Sequence, residues 1–402
     1  PQSARGARRS PFHERLVAQR AHFRDVSGWE CPGWYAPEGQ QPDEGPLTYG
    51  RPQWFQHWEA EHHACREDVI AMDMSFMGKF LVQGRDAGAF LDYLSANEVN
   101  GDSEKITYTQ WLNDDGLLEA DLTVIKLDNE KFMVVTSDVA HRHTETWMKR
   151  HIGVDQHVFV TDVTSGYGQL NIQGPRSREL LQSITSADLS NEAFPFRTAR
   201  EIDMGLGRVL CVRITYAGEL GYELNIPSEQ ALHVYDRIVQ AGAPFGLRHA
   251  GLKALASLRL EKGYRDYGHD IDNMDDPFST GLGFAVRLKK ESDFIGKAAS
   301  IERKASIKYT HRLVSILLRD PEPILMHHEI VHRNGKPVGS IRAGSFGHTL
   351  GAGVGLAMVE GDPVNAAYLS EGEWTVVIAG RVYPADVSLK PFYDPEMVRI
   401  RS

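Results

Sequence analysis

The segment from Tyr108 to Leu127 constrains the fold most. A β-prone run, Tyr108 to Leu112, meets the turn signal Asn113-Asp114-Asp115-Gly116, and Asp121 to Leu127 then alternates as a strand does. The two runs form an antiparallel hairpin. Further strands are expected at Ser75 to Val82, Phe132 to Thr136, Val158 to Val163, Gln169 to Ile172, Val209 to Tyr216 and Tyr222 to Ile226. Helices are expected at Trp54 to Arg66, from Ala87, and at His141 to His151, Arg176 to Leu181, Glu229 to Ala241 and Ala250 to Glu261. This order is not a regular βαβ alternation, so the fold class is α+β.

The chain divides into three stretches. Residues 1–50 are an N-terminal arm rich in Pro, Gly and Arg, and Gly28 to Tyr35 sets aromatic rings among turn formers that would pack the arm on the body. Residues 51–310 hold the mixed elements. Residues 311–402 alternate short strands with glycine turns (Asn334-Gly335, Gly344, Gly347, Gly351, Gly353), the pattern of a small β-barrel.

Several function classes are disfavoured. The formal net charge of -10 repels phosphate backbones, so nucleic acid is not an expected partner. No apolar run approaches the roughly 18 residues of a membrane-spanning helix, so no membrane role is expected. Cys31, Cys65 and Cys211 are far apart, which fits neither a disulfide scaffold nor a zinc ribbon and suits a reducing compartment. Gly351-Ala352-Gly353-Val354-Gly355 has the wrong spacing for dinucleotide binding, and Gly281-Leu282-Gly283 lacks the third glycine. The pairs His62-His63 and His327-His328 are sequence neighbours, no HExxH occurs, and no metal site is expected.

Four segments, in order, carry a resemblance: Asn113 to Val124 (NDDGLLEADLTV), Leu170 to Leu181 (LNIQGPRSRELL), Thr215 to Pro227 (TYAGELGYELNIP) and Leu255 to Asp272 (LASLRLEKGYRDYGHDID). They resemble the aminomethyltransferase family of the glycine cleavage system, the T-protein. The similarity is closer to the folate-binding halves of sarcosine dehydrogenase and of dimethylglycine dehydrogenase or oxidase. The arm (SPFHERL, GWECPGWYAP) and LSNEAFPF at Leu189 to Phe196 look like that subgroup too. The resemblance runs from about Ser10 to about Arg399.

It implies a T-protein-like folate-binding fold of several subdomains with a small C-terminal β-barrel. It implies tetrahydrofolate as the one-carbon acceptor and a small-molecule donor, an iminium or formaldehyde unit from an oxidised N-methyl amine. The product would be 5,10-methylenetetrahydrofolate. FAD is expected only on a separate oxidising domain or subunit, and the start at Pro1 rather than Met suits a fragment of such an enzyme. The compartment would be the cytoplasm in a bacterium and the mitochondrial matrix in a eukaryote. Direct methyl transfer to tetrahydrofolate and a non-catalytic regulatory subunit are the alternatives within the same fold.

The resemblance also implies roles for six residues. Asp121 matches the family acid at the one-carbon chemistry, where a carboxylate can stabilise developing positive charge and take up protons; from the residues alone a capping or turn acid is the stronger reading. Glu219, in Ala217-Gly218-Glu219-Leu220-Gly221, is matched to the acid that pairs with the pterin edge, and a solvated turn glutamate is the alternative. Tyr108 and, less directly, Tyr216 would pack the folate, with cross-strand packing as the alternative for Tyr108. Arg259 would meet the glutamate carboxylates of folate, or else pair within its helix. Phe284 would line the folate channel, or else pack in a core. This chain departs from its relatives at Gly116-Leu117, where the demethylating proteins often have Gly-Gly. It departs again at Thr136-Ser137, after the next strand.

Overall fold

A computed structural model describes residues 2–402. Two antiparallel-dominated sheets and a closed barrel carry the architecture. The first sheet has six strands, in the order Ala199–Met204, Gly207–Val212, Gly221–Pro227, Tyr167–Gln173, Val69–Asp73 and Leu247–His249. Only its last pair is parallel. The second sheet has five strands, in the order Lys105–Leu112, Leu118–Asp128, Lys131–Thr136, Gly78–Gln83 and Phe159–Asp162. Six strands between His311 and Ser388 close into the C-terminal barrel. The observed fold is thus α+β with a small terminal barrel, as expected.

Each sheet buries its outer face under helices. On the first, Leu170, Ile172, Cys211, Leu224 and Ile226 pack against Leu180, Leu181, Val234, Tyr235 and Ile238. These come from the helices Ser177–Gln182 and Ala231–Gly242. On the second, Phe80, Val82, Leu122, Val124 and Val134 pack against Phe90, Leu91, Leu94 and Met148. The strand alternation that buries one face leaves the other free to differ in chemistry.

The inner faces turn toward each other. Directly paired strand residues share a face, so the register puts Tyr108, Gln110, Asp121, Thr123, Val135 and Lys79 on the inner face of the second sheet. Ile106, Ile125, Met133 and Val135 meet Ala199, Leu210 and Val212 of the first sheet in a small apolar seam. Beside that seam the inner face of the first sheet is polar. Gln173 pairs with Gly221, Asn171 with Glu223 and Gln169 with Asn225 across adjacent strands.

The N-terminal stretch is built into the body. Phe12 and Leu16 lie in the core outside the first sheet. The hairpin Ala21–Val26 with Trp29–Tyr35 buries Trp29, Cys31 and Trp34 with Trp54, Trp58 and Ile70. The expected strand at Val209 to Tyr216 ends at Val212, which leaves Tyr216 in a loop. Val69–Asp73 and Ala199–Met204 are strands that the pattern did not reveal. Val69–Asp73 is buried throughout and therefore shows no alternation. Among the described residues no helix is long and apolar enough to cross a membrane.

One guanidinium joins the parts. Arg66, near the end of the helix Phe55–Glu67, is buried and donates to Glu261 Oε2 at 2.7 Å, Glu219 Oε1 at 3.2 Å, and the carbonyls of Ala217 at 2.7 Å and Leu258 at 3.2 Å. Glu261 Oε1 accepts the backbone N–H groups of Thr349 and Leu350, which belong to the barrel side. Replacing Arg66 with Met should leave Glu261 with only His62 beside it among basic groups and Glu219 with only Arg399, in a dry site. The expected loss is about 3–5 kcal/mol of unfolding free energy, to be read from a denaturant titration; a loss within experimental error would show that the network carries little stability.

Candidate functional site

Asp121 stands on the strand Leu118–Asp128, opposite Gln110, whose Nε2 donates to Asp121 Oδ1 at 2.9 Å. The Tyr108 hydroxyl approaches the same carboxylate. Asp121 is half-buried, with protein crowding most of its surroundings. Burial pushes its carboxyl up to about 7; Gln110 and Tyr108 pull against that shift, and the nearby charges of Asp266 and Asp270 add to it. An acid poised there can both hold and release a proton near neutral pH.

An aromatic pair borders the acid. The rings of Tyr108 and Phe284 stack at 6.1 Å, with 28° between their planes. Phe284 is 75% exposed, so much of its ring stands open beside Tyr108. Tyr216 lies on the same side. Its hydroxyl donates to the Arg265 carbonyl at 2.6 Å, and its ring stacks on Tyr264 at 6.0 Å.

Two of the expected contacts are already occupied. Glu219 is 1% exposed, and its carboxylate accepts from Arg66 at 3.2 Å, the Tyr393 hydroxyl at 2.7 Å and Arg399 Nε at 2.6 Å. That leaves no open edge for a ligand, and Glu219 acts as the tie between its loop and the C-terminal segment. Arg259 is likewise engaged. Its Nη1 lies 3.0 Å from each oxygen of Asp270 and donates to the Tyr264 carbonyl at 2.8 Å. It pairs outside its helix, with the loop that follows. Its effect is to pin the loop at residues 264–272, in which Asp270 Oδ2 also accepts the Asp266 N–H. Gly268 fits that loop with φ +95°, where an added Cβ would lie 2.5 Å from Val139 Cγ2.

The acid with an open side is Glu223, four residues beyond Glu219 in the same segment. It is half-buried on the polar inner face, where Asn171 Nδ2 donates to its Oε1 at 3.2 Å. Burial pushes it up to about 7, opposed by Asn171 and by Lys79. The buried oxygens Gln169 Oε1, Gln173 Oε1 and Asn225 Oδ1 find no protein donor. These oxygens are enclosed by the protein, so Glu223 is the acceptor on this face that a ligand edge presenting N–H groups can reach. Lys79, also on an inner face, donates to the carbonyls of Ser75 and Met77, and burial lowers its amine to about 7. The sequence signal for Glu223 was available. It alternates with the apolar Tyr222 and Leu224 on an otherwise buried strand, which makes a charged side chain conspicuous.

The fold and this arrangement define an aminomethyltransferase-like protein. The GCVT N-terminal domain model matches residues 12–290, and the glycine cleavage T-protein C-terminal barrel domain model matches residues 311–394. The chain belongs to the glycine cleavage T-protein family. It is 40% identical over 400 residues to a 4-methylaminobutanoate oxidase (formaldehyde-forming) of Paenarthrobacter nicotinovorans, covering 100% of this chain and 48% of that protein. It is 32% identical to human mitochondrial sarcosine dehydrogenase, again covering 100% of this chain and 48% of the relative. The chain thus spans about half the length of these curated relatives. The crystal structure of aminomethyltransferase T from Bartonella henselae superposes with a TM-score of 0.80 over 96% of this chain and 98% of that one, at 22% identity.

The raised carboxyl of Asp121 has a consequence for stability. Its folded value near 7 lies above the roughly 3.9 of an unfolded aspartate. From about pH 4 to about pH 7 the native state therefore keeps a proton that the unfolded chain has lost, and stability falls as pH rises through that window. Asp121→Asn should remove this fall, a relative gain of roughly 1–2 kcal/mol at pH 8 after allowing for solvent screening. Paired denaturation curves at pH 5 and pH 8 measure it; equal shifts at both values would contradict the raised carboxyl.

Proposed function

We propose that the chain is a tetrahydrofolate-dependent one-carbon transferase that captures the methylene unit of an oxidised N-methyl amine as 5,10-methylenetetrahydrofolate. The observation that carries this reading is Asp121, a carboxyl held near neutrality beside the Tyr108–Phe284 ring pair, on an inner face turned toward the sheet that carries Glu223. Tetrahydrofolate would supply two nucleophilic nitrogens, N5 and N10. Its pterin edge presents the N–H groups that the half-buried Glu223 is suited to accept. Tyr108 and Phe284 offer ring faces to its flat parts. Asp121 would oppose the positive charge of the incoming carbon unit and take up a proton from nitrogen.

The donor in this reading is sarcosine-like or dimethylglycine-like, and an FAD-containing domain or subunit generates the iminium. The names of the relatives support that assignment, since they are an oxidase and a dehydrogenase of methylated amines. Free iminium hydrolyses in water, so capture within a folded cleft has a physical purpose.

Three variants separate the roles. Asp121→Asn should lower the yield of methylene product about 100-fold or more while tetrahydrofolate still binds. Glu223→Gln should weaken tetrahydrofolate binding about tenfold or more, as expected for a charge-assisted pair. Glu219→Gln should cost stability in denaturation and leave affinity in the folded protein within about threefold. Product analysis and calorimetry read these effects. A normal yield from Asp121→Asn would sink the assignment, and a selective loss of affinity in Glu219→Gln would return the ring anchor to that residue.

A further inference from the structure

One guanidinium at the site lacks a counter-charge. Arg265 stands in the loop that Arg259 pins, and its carbonyl accepts the Tyr216 hydroxyl at 2.6 Å. Its side chain is half-buried. Nε donates to the Thr280 carbonyl at 2.8 Å, and Nη1 donates to the Gly263 carbonyl. Among the described residues Nη2 meets no acceptor, and no carboxylate forms an ion pair with Arg265. Its neighbours differ: Arg259 has Asp270, Arg66 has Glu261 and Glu219, and Arg399 has Glu219.

Contacts tie this group to Asp121. Gly281, next to Thr280, has φ +78°, and an added Cβ would lie 2.5 Å from Arg265 Nη2. The absent side chain therefore makes the space that the guanidinium fills. Three residues further on, Phe284 stacks on Tyr108, whose hydroxyl approaches the Asp121 carboxylate. Burial lowers the Arg265 guanidinium from its ordinary value, while Tyr108, Asp270 and Asp121 face it and pull the other way. For Arg259 burial also pulls down, but Asp270 outweighs it. Arginine does not give up its proton in a protein, so Arg265 stays charged with no anion in contact.

The missing partner is a carboxylate, and the proposed reaction offers two. One belongs to the glutamate tail of folate, which the p-aminobenzoyl ring holds away from N10. The other belongs to the donor, since an oxidised N-methyl amino acid carries a carboxylate on a short arm from its iminium nitrogen. Tyr108 and Asp121 mark the one-carbon end of the site, and there the donor's carboxylate is the one within reach. We propose that Arg265 binds the carboxylate of the one-carbon donor and makes the site selective for iminium ions of N-methyl amino acids over those of simple alkylamines. In the transfer, both bonds between the methylene carbon and the donor nitrogen break, and two form to N5 and N10. The donor nitrogen keeps both electron pairs, takes both protons displaced from N5 and N10, and leaves as a secondary ammonium. Atoms and charge balance. The carboxylate stays ionised throughout, so Arg265 holds substrate and transition state alike, and its contribution belongs in KM.

Donor selectivity rests on the folate reading, and the two fail separately. The full chain and its Arg265→Gln and Arg265→Lys variants are given tetrahydrofolate with formaldehyde and either sarcosine or dimethylamine. These amines form iminium ions that differ by one carboxylate, and methylene product is measured above the uncatalysed rate. Calorimetry with tetrahydrofolate comes first; no binding heat in the unaltered chain would overturn the folate reading and the donor site with it. With binding present, the unaltered chain should show a KM about tenfold lower for the sarcosine-derived donor. Arg265→Gln should raise that KM to the dimethylamine value, with kcat and tetrahydrofolate affinity within about threefold. Arg265→Lys should recover part of the preference, because it restores the charge without the planar fork. Equal KM values for the two donors in the unaltered chain would overturn the assignment, whether or not a variant folds, and leave the folate reading intact. So would a preference that survives in Arg265→Gln; if tetrahydrofolate affinity fell in that variant instead, the guanidinium would belong to the folate tail.

Discussion

The arrangement depends on a cation that the protein cannot leave unpaired. Arg66 is buried at the meeting point of the helix Phe55–Glu67, the helix Leu252–Glu261, the loop after Val212 and the barrel side. A desolvated guanidinium is tolerable only when its donors are met, and here Glu261, Glu219 and two carbonyls meet them. The tyrosine ring of Tyr393 covers its face at 4.1 Å. Because those partners come from distant parts of the sequence, satisfying one side chain fixes where the barrel, the loop and the C-terminal segment must stand.

That fixed frame leaves the inner faces of the two sheets free to be polar. Helices bury the outer faces, so the sheets do not need their inner faces for stability beyond the small seam around Val135 and Val212. Glutamate, lysine and three unpaired amide oxygens occupy that space at an energetic cost the rest of the fold must offset. The pinned loop at residues 264–272 then bounds the Asp121 cleft on the side of the barrel.

Much of this was legible from the sequence where local rules decide. The hairpin around Asn113 to Gly116 formed at its expected turn, because turn chemistry and alternation act over a few residues. The barrel's glycine-punctuated strands were legible for the same reason. The neighbourhood of Asp121, Tyr108 and Phe284 followed from resemblance, and the three do lie together. Long-range pairing was not legible. Glu219 read as a ligand acid or a solvated turn glutamate and Arg259 as a ligand cation or a partner within its helix, yet their partners Arg66, Arg399 and Asp270 lie 153, 180 and 11 residues away. Glu223 stood out as a charge on an otherwise apolar strand, but the strand pairing that sets it on the polar inner face was not legible.

The polar lining between the sheets also bears on the heat of ligand entry. Covering apolar surface lowers heat capacity on binding, whereas covering amides and carboxylates works in the opposite direction. A molecule that meets Glu223 along one edge, and aromatic rings near Tyr108 along another, buries both kinds of surface. Its binding enthalpy should therefore vary little with temperature, unlike that of a guest in a greasy pocket.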